Sequence, residues 1–337
     1  MKTGEFLVSG QRLPDHCHAS NAKIMTKFEQ LIERDGPVIL DGGFATQLES
    51  MGHDIAGDLW SAALLISDPQ AIIDAHYAYL SAGAEIIISA SYQASRAGFI
   101  SLGYSTEEAD QLILSAVKLS QTACAEYLES SIYPPEIHPI VAASVGPYGA
   151  TMHDGSEYTG DYDISDEALT EFHLSRLKVF DASGADVLAV ETIPNFREAE
   201  ILCGLLEKMS TPAWISFACR DELKISDGSM LRDVARLFDG HRRVHAVGIN
   251  CTSPAFILPL IDEVRTGATD KLVVVYPNSG ETYHTEDNSW SGTSCDLEND
   301  FNVEAWFKAG AKFIGGCCRT SPADIRAIKR CLVSQAR

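Results

Sequence analysis

The sequence predicts the α/β class and, within it, a single-domain (β/α)8 TIM barrel. Three observations carry this. Eight short apolar runs are separated by longer segments of helical period, the pattern of βα units around a parallel sheet. Glycine stands between a helix and the next strand in Ala82-Gly83-Ala84, Ser183-Gly184-Ala185 and Ala309-Gly310-Ala311, where a left-handed residue closes a helix. Eight units could also build an open doubly wound sheet. However, eight is the number of the closed barrel, and no Gly-x-Gly-x-x-Gly follows the first run.

The expected strands are Val38 to Gly43, Glu85 to Tyr92, Pro139 to Gly146, Val187 to Pro194, Ala213 to Cys219, Ala246 to Cys251, Leu272 to Asn278 and Phe313 to Cys318. Helix starts are marked by Asp68 before Pro69, Ser253 before Pro254 and Ser321 before Pro322, each a capping side chain ahead of a proline at the first helical position. Ser105 with Glu108 reads as a capping box. Two connections are long, Tyr148 to about Ser165 after the third strand and Ser279 to about Asp300 after the seventh. Both follow strands and so belong to the C-terminal mouth of a barrel, where such loops cover or shape a site. Residues 26–337 are expected to form the barrel domain and residues 1–25 a tail.

Composition narrows the function. A net charge of −21, with 26 scattered Lys and Arg, argues against a nucleic-acid partner, which needs clustered cations. No run of 18 apolar residues spans a membrane, and the first 25 residues have neither an apolar signal segment nor the composition of a transit peptide. A cytoplasmic protein is expected. Nine cysteines without a secretion signal fit reduced thiols, some of them carrying metal or chemistry.

The strongest local signal is Gly315-Gly316-Cys317-Cys318-Arg319-Thr320 at the end of the eighth strand, with Gly248-Ile249-Asn250-Cys251 at the end of the sixth. Strand ends of a barrel converge, so three thiols far apart in sequence can meet. Three soft sulfurs suit Zn2+ and leave a fourth tetrahedral position for a substrate. The competing reading is three small buried hydrophobes. Cys219 at the end of the fifth strand is the spare ligand candidate, whereas Cys17, Cys124, Cys203, Cys295 and Cys331 read as structural.

Two carboxylates also stand at strand ends. Asp41 opens Asp41-Gly42-Gly43 and Glu191 opens Glu191-Thr192-Ile193-Pro194-Asn195. Facing one mouth, they suit a substrate ammonium, with Gly42 and Gly43 allowing close approach to the backbone. Each acid could instead serve a turn or a cap, although a carboxylate inside the apolar run Val187 to Ile193 needs a partner. Ser91, Gln93 and Ser144 are further candidates for substrate contact, with Ser89 and Gly146 nearby. His53, His76, His153 and His245 lack metal spacing and read as surface or core histidines.

At these residues the chain resembles the homocysteine S-methyltransferases, above all their plant branch that uses S-methylmethionine. The shared stretches are DGGFATQLE from Asp41, SYQASRAGF from Ser91, AASVGPYGA from Ala142, ETIPN from Glu191, GINCTSP from Gly248, VVVYPNSGETY from Val273 and GGCCRTSP from Gly315. The resemblance implies one Zn2+ per chain held by Cys251, Cys317 and Cys318, with homocysteine thiolate completing the site and Asp41 and Glu191 holding its amino group. It implies methyl transfer from a sulfonium donor, S-methylmethionine or S-adenosylmethionine, to give methionine. The chain ends soon after the eighth helix, so betaine and methylcobalamin are not expected as donors and a monomer is. Two rivals remain. One is a barrel hydrolase or lyase using Asp41 and Glu191. The other is a non-catalytic protein with a closed structural or thiol-sensing zinc site, Cys219 being its fourth ligand.

Overall fold

In the computed structural model, eight parallel strands follow one another around a single sheet. They are β1 (Val38–Ile39), β2 (Ile86–Ile88), β3 (Ile140–Val145), β4 (Val187–Ile193), β5 (Ala213–Phe217), β6 (Val244–Asn250) and β7 (Leu272–Tyr276). The eighth is β10 (Ala311–Ile314), because β8 (Thr282–His284) and β9 (Ser289–Ser291) form a separate antiparallel ribbon. The sheet order is β1-β10-β7-β6-β5-β4-β3-β2. A parallel bridge between Leu40 and Ile86 brings its two ends together, with the Asp41 N–H donating to the Ile86 carbonyl at 3.1 Å. The structure describes residues 25–53, 63–132, 135, 138–152, 154–284, 289–292 and 301–333.

Alternation along each strand builds two cores. Val38, Leu40, Ile86, Ala142, Ala189, Trp214, Val274 and Phe313 fill the barrel interior. Ile39, Ile87, Val141, Ala143, Leu188, Val190, Ile215, Val247 and Val275 pack outward against the helices. The helix Lys27–Glu33 sends Phe28 and Leu31 into the interior cluster, Phe28 stacking on Phe313 with centroids 6.0 Å apart. With one end of the barrel filled by these rings, the site is left to the other.

All eight strands fall within or beside the expected runs, but several stop earlier than the apolar sequence does. β1 ends at Ile39 and β2 at Ile88, pairing beyond them continuing as single contacts, among them the Leu40–Ile86 bridge and the Ser89 N–H to the Ala142 carbonyl at 2.9 Å. β6 and β10 each begin two residues sooner than expected. Asp68 caps its helix through Ala71 N at 3.3 Å, and Ser105 and Glu108 form the reciprocal box. Gly83 and Gly310 close their helices at φ 107° and 114°, where any side chain would be strained. Ser253 does not cap. Pro254–Phe256 is a 3-10 turn whose Phe256 N–H is taken by the Ser253 carbonyl. At Ser321 the polarity is reversed, the Asp324 carboxylate accepting from the Ser321 N–H and hydroxyl at 2.6 and 2.7 Å.

Close packing of β6 on β7 depends on Gly248. A Cβ there would lie 1.7 Å from the Val274 carbonyl oxygen, so the two strands would have to part. Gly248→Ala is expected to lower stability by about 1–3 kcal/mol or more, as overpacking does, read as a fall in the urea midpoint. An unchanged midpoint would contradict this packing.

Candidate metal centre

Barrel closure brings the ends of β6 and β10 beside each other. Cys251 follows β6 with φ 48° and donates its N–H to the Tyr276 carbonyl at 3.1 Å. Cys317 donates its N–H to the Pro277 carbonyl at 2.8 Å and its carbonyl accepts the Thr320 hydroxyl at 2.7 Å. The result is that the Cys251 and Cys318 sulfurs lie 3.5 Å apart, those of Cys317 and Cys318 4.0 Å, and all three within 4.8 Å. Sulfurs bound tetrahedrally to one zinc stand about 3.8 Å apart, given Zn–S of ~2.3 Å. The donor set therefore fits a thiophilic metal.

Among the described residues these three are the only group of three or more potential ligands found together. Hydrogen bonds from the other two thiols, with Tyr158 adding a third, push Cys251 well below the usual thiol range. Hydrogen bonding to Cys251, with burial, holds Cys317 and Cys318 well above it. Cys219 stands apart. Its sulfur lies 3.9 Å from the Phe217 carbonyl, and burial pushes its thiol up. Cys203 bonds the Leu237 carbonyl at 3.3 Å, Cys124 is buried with its thiol pushed up to about 12, and Cys331 packs on the outer core. Cys17 and Cys295 lie outside the described residues, as do His153 and most of residues 1–25.

A cavity opens over the sulfurs, and Asp41, Gly42, Gly43, Gln93, Ser144 and Glu191 line it. Asp41 accepts the Ile88 N–H at 2.8 Å, and burial, with the nearby Glu191 charge, raises its pKa well above the ordinary value. Burial likewise pushes Glu191 up to about 7, although hydrogen bonds from Ser144 and Tyr276 oppose this. Two desolvated carboxylates in one cavity suit a cationic ligand. Ser91 is different. It does not line the cavity, and its hydroxyl is spent on the Ser144 carbonyl at 2.9 Å.

The support behind these groups is not evident from sequence. Tyr276 meets Ser216 at 2.6 Å, accepts from the Trp214 indole at 3.1 Å and bonds Glu191. Asn250 accepts the Thr192 N–H at 2.7 Å and the Ser216 hydroxyl at 2.8 Å, and donates to the Thr192 hydroxyl at 2.7 Å. Thr192, Cys251 and Arg319 are the non-glycine residues with positive φ among the described residues, at 60°, 48° and 65°. Such backbone persists only where its surroundings hold it. Each directly follows a residue of the site or its support, Glu191, Asn250 and Cys318 in turn. The signal available in the sequence is a polar residue ending an apolar strand, Asn250 in one case and Tyr276 in the other.

The long connection after β3 folds back into the cavity. It brings Glu157 and Tyr158 to the wall and sets the Tyr158 hydroxyl 3.5 Å from the Cys251 sulfur. Glu198 anchors the loop, accepting from Tyr148 N–H at 2.8 Å and from Tyr162, while His173 lies at 2.6 Å. The connection after β7 is tied by Arg319 to Glu281 at 3.1 Å. The three of the singled-out histidines that lie among the described residues have other surroundings. His76 packs on Phe44, lies 3.0 Å from the Ser120 hydroxyl and is pushed down to about 3 by burial. His53 sits 3.8 Å from Asp68, and His245 meets the Phe28 ring edge-on.

The sequence pattern of the homocysteine S-methyltransferases matches residues 38–332. The chain belongs to that family. It is 43% identical over 308 residues to homocysteine S-methyltransferase YbgG of Bacillus subtilis (strain 168), covering 90% of this chain and 97% of that one. It is 44% identical over 318 residues to homocysteine S-methyltransferase 1 of Zea mays, covering 91% and 98%. Among solved structures it is similar to the metallated form of the homocysteine methyltransferase MmuM from Escherichia coli. That likeness has a TM-score of 0.80 at 40% identity and covers 90% of this chain and 99% of that one. Family members thus share the barrel, and one of them is metallated.

Proposed function

We propose that the chain transfers a methyl group from a sulfonium donor, S-methylmethionine or S-adenosylmethionine, to the sulfur of homocysteine, with zinc held by Cys251, Cys317 and Cys318. Membership of the family establishes the coarser part, a methyltransferase enzyme acting on homocysteine. The observation that carries the finer part is three thiols within 4.8 Å of one another in the wall of a cavity that the buried acids Asp41 and Glu191 also line. When bound, zinc would stabilise a substrate thiol as thiolate near neutral pH, so that no separate general base is needed.

The chain's own residues do the rest. Asp41 and Glu191 take the substrate ammonium as carboxylates, whose otherwise unfavourable buried charges the cation compensates. Ser144 and Tyr276 keep the Glu191 carboxylate aimed, and the Asn250 bonds keep Thr192 and the neighbouring Cys251 in their strained conformations. Fixing the acceptor at both ends leaves alignment with the donor as the barrel's remaining task, worth several kcal/mol of the barrier. A closed site completed by Cys219 is not favoured by where that thiol lies. Among the described residues no helix is long and apolar enough to cross a membrane. We read the protein as a cytoplasmic monomer with small-molecule substrates.

Methionine formation from homocysteine, assayed with each sulfonium donor and with betaine in turn, tests the proposal. Turnover is expected with a sulfonium donor and not with betaine. No turnover with either sulfonium donor would overturn it.

A further inference from the structure

A third acid in the cavity has no task in the reaction as described. Glu157 lines the wall and is 6% exposed, and its Oε2 has no hydrogen-bond partner among the described residues. The charged neighbours that act on it, Cys251 and Asp154, are themselves acidic. A buried carboxylate with one oxygen unused is costly to keep, and the nearby acids add to that cost. The loop nevertheless holds it firmly. The Tyr158 N–H bonds the Gly155 carbonyl at 2.9 Å, and a Cβ on Gly149 would come within 2.6 Å of the Glu157 nitrogen.

Its position selects among cations. Asp41 and Glu191 serve one ammonium from β1 and β4. Glu157 comes on the loop after β3, whose Ser156–Tyr158 turn packs on β4. The Cys251 charge acts on it, and it is next to Tyr158, whose hydroxyl is 3.5 Å from the Cys251 sulfur. Glu157 therefore belongs to the end of the cavity where the sulfurs are. In-line transfer requires the donor's cationic sulfur to lie at that end, within reach of the acceptor sulfur. The rings of Tyr92, Tyr158 and Phe44 line the same cavity, and aromatic faces attract a cation without binding it covalently.

We propose that Glu157 is the residue that recognises the positively charged sulfur of the methyl donor, and that it sets the preference for a sulfonium over a neutral thioether. The inference rests on the sulfonium-donor reading above. Methyl transfer moves the donor's bonding pair onto its own sulfur, the C–S bond breaking as the methyl forms a new bond to the acceptor sulfur, and the donor leaves as a neutral thioether. Glu157 thus attracts the substrate more than the product, favouring entry of donor and exit of product. Its hold weakens as the charge disappears along the reaction, so it contributes to donor binding and not to the chemical step.

The test uses zinc-loaded wild type, Glu157→Gln and Glu157→Asp at saturating homocysteine, so that the acceptor position is filled. S-methylmethionine is the donor, and methionine is the neutral competitor against it. For Glu157→Gln the donor KM should rise at least tenfold while kcat stays level or increases. The ratio of methionine inhibition constant to donor KM should fall by a similar factor, with homocysteine affinity and zinc content unchanged. Glu157→Asp, which keeps the charge, should recover part of that ratio. Direct titration of S-methylmethionine into enzyme without homocysteine should show the same loss. An unchanged ratio in Glu157→Gln, or equal weakening of methionine and S-methylmethionine, would overturn the assignment, as would a loss confined to homocysteine. If the wild type itself makes no methionine from a sulfonium, the proposed function falls and this inference with it. A working wild type with an indifferent Glu157→Gln sinks this inference alone.

Discussion

Cys317→Ser and Cys318→Ser are each expected to leave the purified protein with little of its zinc and with methyl transfer reduced on the order of 100-fold or more, since loss of a metal ligand costs more than the 10–100-fold of an outer-shell partner. The physical reason is ligand count and softness. Serine is nearly the same size as cysteine, so both variants should fold. However, its hydroxyl does not ionise near neutral pH and is a poor partner for zinc. Two thiolates then remain where three met within 4.8 Å. The measurement is metal content by elemental analysis beside the methionine assay. Full zinc in both variants would remove the ligand assignment.

Glu191→Gln carries the second large effect, in two opposite directions. Homocysteine affinity should fall by about 10- to 150-fold, equivalent to ~1.5–3 kcal/mol for a hydrogen bond to a charged group, with zinc content unchanged. The pH dependence follows from the same group. Burial raises Glu191 from its ordinary 4.5 to about 7, so below pH 7 it must lose a proton to meet an ammonium. Wild-type affinity should therefore weaken as pH falls below 7, and the variant should lose one proton's worth of that slope. The stability effect has the opposite sign. An acid whose folded pKa is raised stabilises the fold below its unfolded pKa, and that contribution is lost as pH rises through the folded value. Above pH 7 the variant, which cannot ionise, should be more stable without substrate than the wild type by a few kcal/mol, because each pH unit separating the folded and unfolded pKa is worth ~1.4 kcal/mol. A Tm at pH 8 that falls, together with unaltered homocysteine binding, would show Glu191 to be purely structural.

The barrel could be read from sequence because its signals are local. Apolar runs set the strands, and glycines at Gly83 and Gly310 set helix exits whatever lies far along the chain. The cysteine cluster was legible for a related reason. A parallel barrel sends every strand end to one mouth, so naming the ends of two strands places their residues together. Tyr158 lies 93 positions before Cys251 and reaches it only through the fold of an irregular loop. Glu157 arrives by the same loop, and neither carries a periodic signal. Tyr276 bonding Glu191 and Asn250 holding Thr192 depend on strand neighbours and register, not on spacing. Ser91 shows the converse error. A hydroxyl at a strand end is as able to serve a backbone carbonyl as a ligand, and here it serves Ser144.

In the proposed function, three cysteines hold one zinc and leave a position for the substrate sulfur. X-ray absorption at the zinc edge tests it most directly, comparing the protein alone with the protein saturated by homocysteine. Three sulfur neighbours alone and four with homocysteine are predicted, with a proton released on binding and none released when methionine is added instead. Four sulfurs in the substrate-free protein, unchanged by homocysteine, would contradict the account and point to a closed structural site.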